Sequence, residues 1–481
     1  MTMTRNVTTL LGLTLLLGLS PVGALAQTDP ASEPAPESIE GQPEEPTSPP
    51  AVAPNPVEAY NRGVEAFQRG NLEAALTSFD EAIAVNPSYA EAYVYRGMVY
   101  GRQQDYATAI ANLDRAIQLN PSYATAYFMR GITYYNMGNR EAASADFNTA
   151  VQLDPDSVET YLYRGLTDSD AGNTALAIED FTEAINRNPA SVDAYILRGF
   201  AHEKVGAYED AVADFSRAIE LNNSRPAAYM GRGVGYYQLG LMEPALDDLN
   251  RAISLNPDGA SAYLNRSYIY VQQNRLGRAL EDLNRAIELN PRLSEAYMNR
   301  GIVRANQRDF AGAERDFART LELNPERADA YKARGDARMS VGDELGAISD
   351  YSEAIFVDAN YAEAYKARGD ARLAIGDTPG AIADYSQAID IRPNYLDAFS
   401  ARGRAYVQTG QSQLAYSDLT QVILNDPRSL TPDVYFHRGL AQATLGESLG
   451  ARQDLQQAAD LYLRVGNAEG YRAALQELGQ L

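Results

Sequence analysis

Two lysine–aspartate pairs are the clearest arrangement of polar side chains for binding. Lys332 precedes Asp336, and Lys366 precedes Asp370, each within the same local sequence, AYKARGDAR. Residues four apart lie on one face of an α-helix, so each pair presents an ammonium and a carboxylate together. Such a pair either contacts a polar partner or forms a local surface ion pair, which stabilises a helix by only about a few tenths of a kcal/mol.

The sequence offers little for catalysis or metal binding. It contains no cysteine, which excludes thiol nucleophiles, thiolate metal sites and iron–sulfur clusters. The only histidines, His202 and His437, are far apart and are interpreted as structural residues. Residues 231–235 read GRGVG, but no strand precedes them, as a phosphate-binding loop requires. We therefore expect no enzymatic activity, no cofactor and no metal ion.

A 34-residue pattern fills most of the chain and places these residues on helices. Its clearest copy, Ala90–Tyr123, predicts one amphipathic helix over residues 90–103 and another over residues 106–119. Asn120-Pro121 ends the second helix, because proline disfavours helical geometry in the residue before it. An Arg-Gly or Arg-Ser pair recurs every 34 residues, with the last pair, Arg438-Gly439, displaced by two, and gives twelve copies. Neither helix buries its apolar stripe alone, so the copies must stack on one another.

The positions that repeat are small or large in a fixed order. Numbered from Ala90, most copies have an aromatic residue at position 4, Gly at position 8, Ala at positions 20 and 27, an aromatic residue or Leu at position 24 and Pro at position 32. In these residues the chain resembles the tetratricopeptide-repeat family. The resemblance implies an all-α fold, an α-solenoid of stacked antiparallel helix pairs in a right-handed superhelix. Two positions depart from the family, with Tyr for Trp at position 4 and Arg for Leu at position 7.

Four segments are expected along the chain. Residues 1–26 are interpreted as a secretory signal peptide, because an apolar run too short to span a bilayer precedes an Ala-Leu-Ala cleavage site; an uncleaved anchor is the alternative. Residues 27–57, rich in Pro and Glu, predict a disordered linker. Residues 58–465 hold the twelve repeats, and residues 466–481 a capping helix. The signal peptide predicts export, to the periplasm or the exterior of a bacterial cell.

The net charge of −23 restricts the possible partners. Phosphate backbones and anionic lipid surfaces are bound by clustered Lys and Arg, so we expect neither nucleic acid nor membrane surfaces as partners. The only long apolar run lies in the signal peptide, so no membrane span is expected after its cleavage. The remaining effect of the charge is solubility.

Helix periodicity divides the first helix of each copy into two faces. Positions 3, 4, 7, 8, 10, 11 and 14 form a packing face, and positions 2, 5, 6, 9, 12 and 13 a variable face. In tetratricopeptide arrays the variable positions resemble those that line the concave groove. The partner-binding residues predicted on this face are Phe128, Tyr135, Phe200, Tyr237, Asn265, Tyr268, Asn299, Lys332, Asp336, Lys366, Asp370 and Arg404.

The variable face changes in character along the chain. Copies two to seven carry large apolar residues there, which either form a binding groove or are buried by superhelical curvature. Copies eight to eleven are polar. Asn265 and Asn299 hold position 6 in successive copies and resemble the asparagine ladder with which peptide-binding members of the family hold a peptide backbone; the alternative is that both are solvated.

Position 7 places an arginine on the packing face of every copy, where its charge needs an anion. Position 23, on the second helix, is Asp in copies three to twelve. We therefore predict a ladder of Arg–Asp pairs between the two helices of each repeat. Its role would be to fix the register more than to add stability.

Two classes of function remain. The first is a protein-interaction scaffold outside the cytoplasm that binds an extended peptide or a partner domain in the concave groove. The alternative is a glycan-associated module in cell-wall or exopolysaccharide assembly, in which tyrosines such as Tyr95, Tyr135, Tyr163, Tyr237 and Tyr268 stack on sugar rings. The oligomeric state stays open.

Overall fold

The computed structural model describes residues 55–425 and 431–481. These residues form 25 helices and no strand. Twelve helix pairs follow one another, and we call the two helices of each repeat helix A and helix B. The predicted signal peptide and most of the predicted linker lie outside the described residues.

The helices divide into two compact units, residues 1–257 and 258–481. The described part of unit one contains repeats 1 to 6, with helices A and B at Pro56–Gln68 and Leu72–Val85, Ala90–Arg102 and Tyr106–Leu119, Ala124–Asn136 and Arg140–Leu153, Val158–Asp170 and Thr174–Arg187, Val192–Lys204 and Tyr208–Leu221, and Pro226–Gln238 and Met242–Leu255.

Unit two contains repeats 7 to 12 and one further helix. Its helix pairs are Ala260–Gln272 and Leu276–Leu289, Ser294–Asn306 and Phe310–Leu323, Ala328–Val341 and Glu344–Val357, Ala362–Ala374 and Thr378–Ile391, Leu396–Gln408 and Ser412–Asn425, and Pro432–Thr444 and Ser448–Arg464, followed by Ala468–Leu478. Within each unit, helix A packs on its own helix B, and helix B packs on helix A of the next repeat. This stacking makes each unit an α-solenoid.

The first repeat begins two residues earlier than the sequence predicts. Pro56 stands at the first turn of its helix A, where the fixed φ of proline suits a helix and its missing N–H costs nothing. The Asn55 side chain accepts a hydrogen bond from the Val57 amide at 3.0 Å and so caps the helix. At the other end, helix Ala468–Leu478 packs on helix B of repeat 12, where Ala474 is fully buried.

Position 8 sets the distance between helices A and B. A Cβ at Gly131 would lie 2.7 Å from the Phe147 ring, so a larger residue would force the two helices apart. Repeat 7 has Ser267 at this position, opposite Leu283 rather than a phenylalanine ring. The Ser267 hydroxyl donates to the Leu264 carbonyl at 2.6 Å, so the polar group is satisfied although it is buried.

The predicted ladder of Arg–Asp pairs is present. In repeat 5, Arg198 donates from Nε and Nη2 to the two carboxylate oxygens of Asp214, at 2.9 and 2.7 Å. Its Nη1 reaches back to the Thr182 hydroxyl of repeat 4 at 3.1 Å, and its guanidinium carbon lies 5.7 Å from the centre of the Tyr195 ring. The same two-pronged contact with position 23 is made by Arg130, Arg164, Arg232, Arg266, Arg300, Arg334, Arg368, Arg402 and Arg438.

Replacing Arg198 by Met should destabilise repeats 4 and 5. The substitution leaves the Asp214 carboxylate, which is 5% exposed, without its cation, and loss of one partner of a buried pair costs about 2–4 kcal/mol when the pair is partly screened. Thermal melting and hydrogen exchange of the two repeats measure the effect. Arg217→Met is the matched control, because the Arg217 side chain is 48% exposed and its ion pair is with Glu220 of its own helix. Equal melting of both variants would contradict a structural role for position 7.

The turn between helices A and B requires a left-handed backbone at position 15. Nine repeats have Gly there, for example Gly342 with φ of 82°, but Gln104, Asn274 and Arg308 adopt the same geometry with φ of 62°, 55° and 64°. A side chain raises the energy of this conformation by about 1–2 kcal/mol. Three repeats therefore carry strain that glycine would relieve.

Replacing Arg308 by Gly should stabilise unit two by about 0.5–1 kcal/mol, the relief of strain minus the extra entropy of the unfolded chain. The neighbouring substitution Gln307→Gly is the control. Gln307 has a φ of −86°, so glycine brings only its entropic cost there and should destabilise the protein. Urea denaturation of both variants measures the difference. A loss of stability in Arg308→Gly would mean that the arginine side chain stabilises the turn.

Candidate functional site

In unit one, the variable face of helix A is buried. Phe128, Tyr135 and Phe200, predicted to line an open groove, are only 7%, 7% and 5% exposed. The Phe128 ring lies 5.7 Å from the Tyr163 ring of the next repeat, and the Phe200 ring lies 5.0 Å from the Phe215 ring. The expectation that these residues are exposed is therefore wrong. Neighbouring A helices contact one another, and the large side chains fill the space between them.

Tyr135 is held by two neighbours. Its hydroxyl donates to Asp170 at 2.8 Å, and the Arg140 guanidinium carbon lies 4.1 Å from the ring centre. Burial, and then the hydrogen bond with Asp170, raises the pKa of Tyr135 well above its ordinary value. The tyrosine is thus fixed in the interior and does not offer a free ring face. Tyr237, in repeat 6, is half-buried.

The two asparagines of the predicted ladder are buried in unit two. Asn265 and Asn299 are 9% and 6% exposed. The Asn299 amide donates to the half-buried Tyr268 hydroxyl at 2.9 Å. Because the amides lie beneath the surface, they do not form the exposed ladder that the sequence suggested. Position 6 faces the preceding repeat, as the contact of Asn299 with Tyr268 of repeat 7 shows.

The polar half of the variable face is different, because repeats 9 and 10 enclose a cavity of about 350 Å³. Lys332, Asp336, Lys366 and Asp370 all line it, so the structure brings four of the predicted residues together. The other lining residues are Met339, Tyr351, Glu363, Ala367 and Tyr395. Amines, carboxylates and phenols therefore converge on one space in unit two.

A Lys–Asp–Tyr cluster occurs twice, once in repeat 9 and once in repeat 10. In repeat 9, Lys332 Nζ donates to Asp336 Oδ2 at 2.7 Å, and the Tyr351 hydroxyl donates to Asp336 Oδ1 at 2.9 Å. In repeat 10, Lys366 and Tyr385 donate to the two oxygens of Asp370 at 2.6 and 2.9 Å. The aspartate fixes the lysine, and the tyrosine fixes the aspartate.

The clusters leave donors available. Each ammonium has three N–H groups and gives one to its aspartate, so two remain for a ligand or water. The two lysine side chains are 23% and 25% exposed, which keeps them accessible. Burial, and then the negative charge of Glu363, raises the pKa of Tyr395 at the cavity wall to about 12, so its hydroxyl stays protonated.

Arg404 lies one repeat further on, outside the lining of this cavity. It holds position 9 of repeat 11, where Ser400 replaces lysine at position 5 and Leu419 replaces tyrosine at position 24, so the cluster is not built a third time. The Nε atom of Arg404 is buried and has no hydrogen-bond partner among the described residues.

Sequence reasoning missed the residues that complete the site. Tyr351 and Tyr385 lie at position 24, which we assigned to packing alone, and Glu363 and Tyr395 lie at positions 2 and 34 of repeat 10. A signal was present, because position 24 is Tyr in repeats 9 and 10 but Phe or Leu elsewhere. A buried tyrosine needs a partner for its hydroxyl, and the aspartate at position 9 of the same repeat provides one.

Other sites are not evident in the described part of the chain. Residues 55–425 and 431–481 contain no group of three His, Asp or Glu side chains placed to hold a metal ion. None of the helices in these ranges is both long and apolar enough to cross a bilayer.

Unit one contains one unusual buried carboxyl group. Glu203, at position 12 of repeat 5, is 8% exposed, and its Oε2 atom has no hydrogen-bond partner among the described residues. Burial raises the pKa of Glu203 to about 8. This residue was not among the predicted site residues.

The stacked helix pairs and the repeated packing positions define a helical-repeat scaffold, and comparison with known proteins identifies its family. Two models described as tetratricopeptide repeat match residues 97–160 and 266–338, and residues 60–124, 162–226, 201–254 and 230–294. A TPR repeat model matches residues 369–410. The chain belongs to the tetratricopeptide-repeat family, whose repeats form protein-interaction scaffolds.

Several solved structures are similar to the chain. A tetratricopeptide-repeat protein from Parabacteroides merdae is 23% identical, covers 49% of this chain and 93% of its own length, and has a TM-score of 0.41. YrrB, a TPR protein with an unusual peptide-binding site, is 24% identical over 38% of this chain and 95% of its own, with a TM-score of 0.34. A chain of the APC/C hetero-tetramer Cut9–Hcn1 is 13% identical over 88% of this chain and 96% of its own, with a TM-score of 0.46. No curated protein matches the sequence with statistical significance.

Replacing Glu203 by Gln should remove a pH dependence of stability. The folded carboxyl group has a pKa of about 8 and the unfolded one of 4.5, so the folded state binds more protons between these values. Stability therefore falls as the pH rises through this window, by up to about 1.4 kcal/mol per pH unit. Above the window the Gln variant should melt at a higher temperature than the wild type, and below it the two should be similar.

Melting temperatures measured across the window check this, with Glu209→Gln as an exposed control in the same repeat. Parallel curves for the wild type and Glu203→Gln would show that the carboxyl group is solvated.

Proposed function

We propose that this chain is an exported, non-enzymatic scaffold that binds an extended segment of a partner protein in the cavity of repeats 9 and 10. The observation that carries the proposal is the pair of Lys–Asp–Tyr clusters, built identically in neighbouring repeats around one cavity. The apolar signal-like sequence at residues 1–26 supports export.

The chemistry of the cavity suits an extended polypeptide. A peptide backbone carries acceptors and donors in alternation, and the cavity offers both, as free ammonium N–H groups and as carboxylates and phenols. Because each lysine is fixed by its aspartate, little side-chain entropy is lost when a ligand binds. Two equivalent clusters in successive repeats contact a segment at two points, which an extended chain provides more readily than a compact molecule.

The presence of lysine rather than arginine at these two positions supports a role in binding rather than in holding the helices together. The chain has 41 Lys and Arg residues, but lysine occurs only at Lys204, Lys332 and Lys366. Arginine makes the contacts that hold the helices together, since its planar fork suits a buried carboxylate. Two of the three lysines occupy the same position of neighbouring repeats and face the cavity.

A glycan partner finds less support in the structure. The Tyr95 ring packs at 5.5–6.0 Å from Tyr60, Phe67 and Phe79, and Tyr163 packs against Phe128 and Phe147. These rings are engaged within the protein, so they do not offer the open faces that stacking on sugars requires.

The scarcity of lysine allows a direct test. Partners are captured from an envelope extract with the wild-type protein, and the complex is treated with an amine-reactive reagent before peptide mapping. We expect the partner to protect Lys332 and Lys366, while Lys204, whose ammonium bonds the Ser169 carbonyl in unit one, reacts as in the free protein. Equal labelling of all three lysines with and without the partner would sink the proposal.

Substitutions provide a second measurement. Lys332→Met with Lys366→Met should weaken the captured partner at least about tenfold, since two charged contacts are lost, whereas Lys204→Met should leave affinity unchanged. Both ion pairs are partly buried, with side chains 22–38% exposed, so circular dichroism must show that the double variant keeps the helical content of the wild type. Binding that survives the double substitution, or purified cell-wall glycan that competes with the partner at this site, would refute a peptide partner in the cavity.

A further inference from the structure

Position 12 of helix A varies in unit one and carries buried aromatic rings in repeats 1 and 3. Phe67 in repeat 1 and Tyr135 in repeat 3 are 3% and 7% exposed at this position. Repeat 2 has Gly101 between them. A Cβ at Gly101 would meet no atom within 4 Å, in contrast to Gly97 in the same helix, where one would lie 3.0 Å from Leu113. Packing therefore does not require a glycine here, although glycine weakens a helix.

A cavity of about 740 Å³ lies beside Gly101. Its walls include Met98, Leu113, Met129 and Ile132, which are all buried and apolar. Cavities of this size hold ligands in other proteins, and two methionines allow the wall to adapt to the shape of an apolar group. Repeats 1 and 3 carry an aromatic ring at the position that Gly101 holds in repeat 2, so an aromatic ring is the group that repeat 2 lacks beside this cavity.

An exposed arginine stands at the rim of the cavity. Arg102 lines it, stacks at 4.0 Å from the centre of the Phe67 ring and donates to the Phe67 carbonyl at 3.3 Å. No carboxylate of the described residues forms an ion pair with it. Arg140 stacks in the same way on Tyr135, but it also pairs with Asp170 at 3.1 Å. Burial lowers the pKa of Arg102 below its ordinary value, as expected for a cation without a counter-ion.

A polar group also lies where it can hold a ligand in place. Position 13 of one repeat reaches position 12 of the repeat before it, as Arg102 does to Phe67 and Lys204 to the Ser169 carbonyl at 2.7 Å. Asn136 holds position 13 in repeat 3 and lines the cavity beside Gly101. Its exposed amide provides a donor and an acceptor at the rim.

We propose that this cavity binds an aromatic side chain of a partner polypeptide that has a carboxylate residue next to it. The ring fills the space at Gly101, and the carboxylate pairs with Arg102. This site is formed by residues of unit one alone and does not depend on the polar cavity of repeats 9 and 10. A loss of one site leaves the other intact.

The first test supplies the missing ring within the chain. Gly101→Phe places a ring in the cavity, Gly101→Leu occupies less of it, and Gly101→Ala is the control that removes glycine but leaves the space. All three should raise the melting temperature, because each residue is a better helix former than glycine. The probe is anilinonaphthalene sulfonate, which joins aromatic rings to an anion and should bind the wild-type protein saturably at one site in unit one.

We expect Gly101→Phe and Gly101→Leu to weaken binding of this probe at least tenfold and Gly101→Ala to preserve it. Equal binding by the wild type and both filled variants would overturn the proposal, as would the absence of saturable binding to the wild type. If one of these two variants melts below the wild type, its fold is disturbed, and probe binding by the other variant is then the test.

The second test addresses the carboxylate. Acetylated peptides that contain a Phe-Glu pair should compete with the probe, and peptides with Phe-Gln or Ala-Glu in its place should compete at least tenfold less well. Arg102→Gln should remove the preference for Glu over Gln, while Arg115→Gln, at an exposed arginine of the same repeat, leaves it unchanged. Equal competition by the Phe-Glu and Phe-Gln peptides, or a preference that survives Arg102→Gln, would show that the cavity takes only an apolar group and would overturn the charge pairing.

Discussion

The arginine at position 7 is the interaction on which the solenoid depends. One guanidinium connects three elements. It donates two hydrogen bonds to the aspartate of its own helix B and a third to helix B of the preceding repeat, and it lies beside the aromatic ring at position 4 of its own helix A. A leucine at this position would add apolar area without direction. The charged fork adds direction instead, since two parallel hydrogen bonds to one carboxylate are satisfied in a single relative placement of the helices. The desolvation of the pair limits its contribution to stability, so its main effect is to fix register.

Because a few positions of each repeat hold the helices together, the remaining surface positions can vary between repeats. Positions 8, 20, 24 and 27 hold the two helices together with small and large apolar groups, and position 7 locks each pair to its neighbour. The variable positions of helix A are then free to differ between repeats. In unit one they are apolar and buried between A helices, as Val94 and Ile196 are at 0% exposure. In repeats 9 and 10 they are charged and border a cavity.

The repeat pattern was sufficient to predict the helix pairs, the ladder of arginines and the lysine–aspartate pairs, because each rests on contacts within one repeat or between neighbours. The exposure of the variable face was not predictable in the same way. Whether Phe128 meets solvent or Tyr163 depends on how far one A helix tilts toward the next, which no single repeat encodes. Tyr351 was missed for a related reason, since a position assigned to packing also carries a hydroxyl that needs a partner. A helical wheel shows which way a side chain points, but it does not show how deeply that side chain is buried.

Departures from the repeat are informative only when packing does not explain them. Ser267 in place of glycine faces a leucine and satisfies its own hydroxyl, so the structure accounts for it locally. Packing does not explain Gly101, because its helix would be more stable with alanine and no neighbouring atom would crowd a Cβ there. The same holds for the tyrosine at position 24 of repeats 9 and 10, where phenylalanine packs equally well in other repeats and only the hydroxyl contact with the aspartate at position 9 distinguishes them. Both departures adjoin cavities, and both alter what the cavity presents rather than how the helices stack. In a repeat protein whose architecture is set many times over, such residues are where we expect binding to be specified.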